Sequence, residues 1–190
     1  MGTYEVLVAA ALEVLEQEGE AQFSTRAVCA IANVTAPTLY HHFGNADGLL
    51  SAAMTEAFAQ FLRSKKAAIQ SSDPETALRQ GWDDYVRFAA ARPRLYAAMM
   101  GRVFKGGHIP AAEEGIAQLK SRVEAIASEG RLAVTVEAAV DLIWASANAA
   151  ALLHLTARLR DAKRPVPAVI DSLRDQAMQT ILTHTSKRKR

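Results

Sequence analysis

The stretch that decides the fold of this 190-residue chain is residues 24–45, STRAVCAIANVTAPTLYHHFGN. Ser24 or Thr25 can cap a first short helix, because their hydroxyl oxygens accept hydrogen bonds from the unpaired N–H groups at a helix start. Asn33 tolerates the left-handed backbone conformation that ends such a helix. Pro37 then falls in the first turn of a second helix, where no N–H is needed. The stretch therefore predicts two short helices joined by a tight turn.

The second of these helices, over about residues 36–43, carries more polar side chains than one buried face can hold. Thr38, Tyr40, His41 and His42 are distributed around it. The pair of helices is a helix-turn-helix whose second helix presents small and hydrogen-bonding groups outward. Threonine hydroxyls and helix-start N–H groups can bind phosphate oxygens, and side chains early on such a helix can reach base edges. These features predict a DNA-binding surface.

This region resembles the helix-turn-helix of TetR-type transcriptional regulators. The matching residues are the pair Thr25-Arg26, the run NVTAPTLYHHF at 33–43 and the opening of the next helix, NADGLL at 45–50. They cover about the first quarter of the chain. The resemblance implies an all-helical protein with a three-helix DNA-binding head, residues 1–46, and an effector-binding and dimerising body, residues 47–190. It also implies a dimeric regulator, expected to be a repressor, that binds a palindromic operator and is released by a small-molecule effector.

Ten residues are candidates for DNA contact. By resemblance, Tyr40 and His42 would contact phosphates, while a threonine methyl or Ala36 could contact a thymine methyl. The alternative is that Tyr40 and His42 only pack the head and that Thr25 is only a cap. The full set of candidates is Thr25, Arg26, Thr35, Ala36, Pro37, Thr38, Tyr40, His41, His42 and Asn45.

The charge of the head is unusual for a DNA-binding segment. Residues 1–50 hold one basic and six acidic side chains, a net charge of −5, although the whole chain is +2. Phosphate neutralisation normally supplies much of the affinity for DNA. The family usually has a basic residue where Ala46 stands, so we expect modest affinity, with the dimer and either histidine protonation or the basic tail 187–190 partly offsetting the acidic head. The alternative function is a helical small-molecule-binding protein with weak or lost operator binding.

The rest of the chain is predicted to be helical, with about nine helices in all. Thr135 is expected to cap a helix reaching about Leu159, and a last helix is expected over 168–183; these two would form a homodimer interface. The apolar stretch 142–155 is shorter than the ~20 residues that cross a bilayer, so no membrane partner is expected. The single cysteine, Cys29, fits a reducing compartment, and we expect the protein to be cytoplasmic.

The body is expected to bind a small apolar or aromatic effector. Cavities are mostly apolar with a few placed polar groups, although the same residues could be ordinary core. No catalytic motif, metal-ligand spacing or cofactor fingerprint occurs, so no enzyme activity, metal or cofactor is expected. Asp83 and Asp84 are expected on solvated faces. The pocket candidates are Trp82, Tyr85, Phe88, Met99, Met100, Phe104, Trp144, Asn148 and His154.

Overall fold

The computed structural model describes residues 2–68, 73–106, 110–161 and 163–183. Within these ranges the protein has nine α-helices, two short 3-10 helices and no strand, which confirms the predicted all-α class. The predicted role of the tail 187–190 lies outside the described residues. The helices are α1 (Thr3–Glu18), α2 (Thr25–Ala32), α3 (Ala36–Phe43), α4 (Ala46–Ala68), α5 (Pro74–Ala91), α6 (Pro93–Phe104), α7 (Pro110–Ser128), α8 (Val136–Leu155) and α9 (Pro167–Ile181), with 3-10 turns at Glu20–Gln22 and Ala157–Arg160.

Local capping signals set several helix ends. The N–H of Ala138 donates to Thr135 Oγ1 over 3.2 Å, so Thr135 caps α8 as predicted. At its other end α8 stops at Leu155, before the predicted Leu159. A 3-10 turn follows, and the Arg160 guanidinium donates to the carbonyl of Leu153 over 2.6 Å. The Arg160 side chain therefore satisfies a carbonyl in the last turn of α8, a contact that helix periodicity does not reveal.

The chain groups into two compact units. Unit 1 comprises residues 1–64 and 91–113, and unit 2 comprises residues 65–90 and 114–190. The boundaries fall inside α4, α5 and α7, so unit 1 contains α6 as well as the predicted head. This grouping reflects packing alone, and the functional division at residues 46/47 stays a prediction.

Unit 1 is built around α1. This helix buries seven side chains, including Leu7 and Leu15, and packs against α2 and α6. The short helices α2 and α3 bury only Val28 and Leu39 respectively. Most of the surface of the helix-turn-helix is therefore free of core packing, while α1 supports it from one side.

Unit 2 combines an apolar core with ion pairs between helices. Its helices α8 and α9 pack on each other, and α5 is joined to α9 by charge pairs. Arg174 Nη1 lies 2.9 Å from Asp83 Oδ1, and Arg79 pairs with Asp175. The expectation that Asp83 and Asp84 lie on solvated faces is therefore wrong: a guanidinium 91 residues away in the chain binds Asp83, and the Asp84 side chain is only 15% exposed.

The helix α8 is unusually apolar. At 20 residues it is long and apolar enough, by length and composition, to cross a membrane, and 28% of the window that meets this criterion is buried within the chain. The sequence estimate counted residues 142–155 only and so began inside the helix. Core helices also meet this criterion, so the predicted lack of a membrane partner stays a prediction. Leu142 and Leu152 are among the exposed apolar side chains of α8.

Candidate nucleic-acid interface

The turn between α2 and α3 has the geometry that the sequence predicts. Ser24 Oγ accepts a hydrogen bond from the N–H of Ala27 over 3.2 Å, so Ser24 rather than Thr25 is the cap of α2. Asn33 ends the helix at φ 53° and ψ 46°, in the left-handed region. The N–H of Val34 then donates to the carbonyl of Cys29 over 3.1 Å, which closes the turn. Local chemistry alone thus sets how α3 follows α2.

The exposed hydroxyls of the two helices pair with each other. Thr25 Oγ1 lies 3.4 Å from Tyr40 OH, which joins the start of α2 to α3. At the start of α3, Thr35 Oγ1 and Thr38 Oγ1 are 3.0 Å apart. Tyr40 is 45% exposed, so it keeps its ring and one side of its hydroxyl open to a partner. The structure thus brings four of the ten DNA-contact candidates together in two pairs.

Tyr4, a residue outside the predicted site, packs against the end of α3. Its ring stacks on Phe43 with centroids 4.9 Å apart and meets His42 edge-on at 6.4 Å. An aromatic residue in the first turn of α1 is the only signal of this role in the sequence, and its partners lie about 40 positions away. The contact helps to explain how α1 fixes the orientation of α3.

The remaining candidates surround these contacts. Arg26 is exposed on α2, and Ala36, Pro37 and His41 are exposed on α3. Asn45 caps α4, because its Oδ1 accepts from the N–H of Gly48 over 2.8 Å. Among the described residues no group of histidine, cysteine or carboxylate side chains could hold a metal ion.

Three of the six acidic residues among residues 1–50, the segment with a net charge of −5, are paired with cations that come later in the chain. Arg92 pairs with Glu16, and Lys105 Nζ lies 3.4 Å from Glu20. Arg102 binds Asp47 through two hydrogen bonds of 2.8 and 3.1 Å, and these lower the pKa of the Asp47 carboxyl. All three cations lie within unit 1, just before, in or just after α6. The charge of −5 therefore overstates how acidic the folded head is.

The predicted pocket residues are divided between the two units. Met99, Met100 and Phe104 lie on α6 in unit 1, and Phe104 is 81% exposed; the other six lie in unit 2. A groove of about 480 Å³ lies between α1 and α4, and none of the nine candidates lines it. The groove residues are Tyr4, Glu5, Val8, Ala9, Leu12, Ala52, Thr55, Glu56 and Gln60.

Four of the pocket candidates in unit 2 form a ladder between α5 and α8. Trp82 Nε1 donates to Ser146 Oγ over 2.9 Å, and Tyr85 OH lies 3.0 Å from Asn148 Oδ1. The Tyr85 and Trp144 rings are 5.6 Å apart, and Asn148 Nδ2 donates to the Trp144 carbonyl. Both amide atoms of Asn148 thus have partners within the chain.

Known proteins resemble this chain in two ways, in the sequence of its head and in its overall fold. Residues 7–53 match the family model of bacterial regulatory proteins of the tetR family. The HTH-type transcriptional regulatory protein RaaS of Mycobacterium tuberculosis is 38% identical over 68 residues, which are 35% of this chain and 32% of that protein. The match thus spans about a third of the length of this curated relative.

Two solved structures share the fold over nearly the whole chain. A protein of unknown function from Rhodococcus sp. RHA1 has a TM-score of 0.81 at 21% identity, covering 96% of this chain and 97% of that chain. The transcriptional regulator FadR of Bacillus subtilis, in complex with stearoyl-CoA, has a TM-score of 0.70 at 16% identity, covering 94% and 99%. The comparisons confirm the resemblance drawn from the sequence: residues 7–53 match the tetR family of bacterial regulatory proteins, and the all-helical fold is one that the chain shares with a solved transcriptional regulator.

Proposed function

We propose that this protein is a dimeric, cytoplasmic repressor that binds a palindromic DNA operator through α3 and is released by a small-molecule effector. The observation that carries the proposal is the exposed polar surface of the helix-turn-helix, whose hydroxyls are ordered by the Thr25–Tyr40 and Thr35–Thr38 pairs. Ordered side chains lose less conformational freedom when they meet DNA.

In this proposal α3 enters the major groove. Tyr40 and His42 contact phosphates, and Ala36 and Thr38 contact base edges. The acidic residues do not oppose this arrangement as strongly as their number suggests, because Arg92, Arg102 and Lys105 pair with three of them. The alternative of a binding protein without operator recognition loses part of its support for the same reason.

The dimer is proposed to form through α8 and α9. Both helices are rich in apolar or small side chains. Some of these side chains are exposed: Leu152 on α8 by 56% and Val169 on α9 by 45%. A second copy of the same surface would cover these groups in a twofold arrangement. Two heads held by one twofold interface match two operator half-sites.

The release by an effector is proposed to act through α6. Arg102, in the last turn of α6, holds Asp47 in the first turn of α4, the helix that follows the helix-turn-helix. The helix α5 leads into α6 with only Arg92 between them. A ligand that favours another position of α5 would therefore disfavour this clamp, in proportion to its differential affinity for the two states. FadR, which shares the fold, was solved with a small-molecule ligand.

The proposal is tested by binding of the purified protein to DNA from around its own gene, with Tyr40→Ala as the control. Specific binding that is lost in the variant supports a regulator that reads DNA with α3. Equal binding by both proteins, or no specific binding at low salt, contradicts it and directs attention to what the body binds.

A further inference from the structure

The helix α5 has two flanks that differ in how their polar groups are satisfied. On one flank, Trp82 and Tyr85 are buried and have hydrogen-bond partners on α8. On the other flank lie Gln80, Gly81 and Asp84, which share a face by their spacing of three and four residues. The second flank belongs entirely to unit 2, as does α7 from residue 114 onward.

An arginine from α7 lies directly on this second flank. The Arg122 guanidinium occupies the space that a Cβ atom would take at Gly81. Any side chain at position 81 would displace the guanidinium, so the glycine allows it to rest against the backbone of α5. Burial lowers the pKa of the Arg122 guanidinium, and the charge of Asp84 acts in the opposite direction. The guanidinium is thus held in a partly dehydrated position beside a carboxylate.

Two polar atoms on the same flank of α5 lack partners. Gln80 Oε1 and Asp84 Oδ2 are fully buried and accept no hydrogen bond. Asp84 Oδ1 accepts from Arg87 over 2.9 Å, so only one carboxylate oxygen is satisfied. The Arg122 donors are not among the buried atoms that lack a partner, so solvent or a ligand can reach them. Buried polar atoms are satisfied in most proteins, and a cluster of unsatisfied ones requires a specific reason.

The three side chains define the chemistry of a group that would satisfy them. Gln80 and Asp84 offer acceptors, so the partner must donate; Arg122 offers donors, so the partner must also accept. The charges of Arg122 and Asp84 have opposite sign, and a partner with a net charge would be repelled by one of them. The best match is an uncharged group with a donor beside an acceptor.

We propose that Gln80, Asp84 and Arg122 bind the polar end of the effector, and that this end is an uncharged group of the primary carboxamide type. This inference rests on the proposed function for its biological role, although the binding site can be tested without DNA. It refines the expectation of an apolar or aromatic effector by adding the polar group that would orient it in the body.

The test uses three probes that share a phenyl ring and differ in charge: benzamide, benzoate and benzylamine. Their affinities for the full chain are measured by ligand-observed NMR titration. We expect benzamide to bind best and to lose about tenfold in affinity in Arg122→Met, since hydrogen bonds to a charged group are removed. The matched control is Lys120→Met on the same helix. The Lys120 ammonium pairs with Glu124 on the surface, so this variant should leave binding unchanged.

A second variant keeps the test decisive if Arg122→Met does not fold. Asp84→Asn removes the negative charge and retains the shape, so the site becomes positive and benzoate should overtake benzamide. A preference for benzoate or benzylamine in the unmodified protein would overturn the inference. So would the absence of binding by all three probes, or binding that neither variant changes, since a buried water would then be the sufficient partner.

Operator binding by the same preparations separates the two proposals. Specific DNA binding without benzamide binding overturns the carboxamide site and leaves the regulator intact. Benzamide binding that responds to Arg122→Met, without specific DNA binding, supports the site and contradicts the proposed regulatory function.

Discussion

The helix-turn-helix of unit 1 leaves its polar side chains at the surface, whereas the α5–α8 ladder of unit 2 pairs them inside. In the first region Tyr40 is 45% exposed and bonds a neighbouring threonine. In the second, Trp82 is 2% exposed and its indole N–H reaches a serine 64 residues away. The same chemistry, a polar group on an aromatic ring, therefore lies exposed in one place, where the proposed function assigns it to recognition, and is used for packing in the other. The two side chains differ in exposure and in how far along the chain their hydrogen-bond partners lie: Tyr40 is exposed with a partner 15 positions away, and Trp82 is buried with a partner 64 positions away.

The largest expected effect lies in the ladder. Trp82→Ala should lower the free energy of unfolding by about 3–5 kcal/mol, because it removes a buried ring and leaves a cavity beside Ser146. Urea denaturation followed by circular dichroism measures this. Trp82→Phe is the matched control: it keeps most of the ring and should recover most of the loss. A loss below about 1 kcal/mol for the alanine variant would mean that Trp82 is not a packing residue.

In the head, Tyr40→Ala should weaken DNA binding and leave the free energy of unfolding nearly unchanged. Tyr40→Ala should change the free energy of unfolding by less than about 0.5 kcal/mol, since the side chain is half exposed. Its affinity for the operator should fall about tenfold or more, because a phosphate contact is lost. Tyr40→Phe keeps the ring and tests the hydroxyl alone. The comparison between the two regions fails if Tyr40→Ala unfolds the head while the folded fraction still binds DNA normally.

The Arg102–Asp47 pair gives a smaller effect that depends on pH. Asp47 is largely exposed, so Arg102→Met should cost only about 0.5–1 kcal/mol at neutral pH. Arg102 lowers the pKa of Asp47 in the folded protein, so this stabilisation is present above about pH 4 and is lost as the pH falls through the lowered value. Unfolding measured at pH 7 and pH 2.5 should show the difference between the two proteins closing in acid. If the difference in free energy of unfolding were the same at both pH values, Arg102 would stabilise the protein through packing and not through its charge.

The smallest effect concerns how α3 reads bases. This helix has no arginine, lysine, asparagine or glutamine, so the side chains that commonly bind guanine or adenine in a bidentate way are missing. If Ala36 and Thr38 contact thymine methyls, replacing one operator thymine by uracil should weaken binding two- to fourfold, at about 0.8 kcal/mol per methyl. Competition binding with substituted operators measures this. Uracil substitutions that have no effect at any position would contradict methyl contact.

Local chemistry explains why the head could be predicted in detail. The cap at Ser24, the left-handed Asn33 and the early Pro37 all act within four residues, so their effects are readable from spacing. The helices in the described part of the chain follow from the same kind of signal. The stacking of Tyr4 on Phe43 and the pairing of Arg102 with Asp47 join residues about 40 and 55 positions apart, and no periodicity links them.

The same reasoning explains the errors in the body. The prediction that Asp83 is solvated used the usual exposure of carboxylates, which does not hold where Arg174 binds it. The importance of Gly81 is also invisible in the sequence, because it depends on where Arg122 of another helix lies. The aromatic candidates were chosen by residue type, and the structure shows that Trp82 and Tyr85 have partners within the chain.

The central claim is that α3 recognises DNA in a sequence-specific way. The most direct test selects a preferred sequence from random duplexes and compares its affinity with that of a scrambled duplex at 50 and 200 mM salt. The account predicts a palindromic preferred sequence, tighter binding than to the scrambled duplex at both salt concentrations, and a shallow fall with salt because few cations face the phosphates. Equal affinity for the two duplexes at both salt concentrations would contradict it.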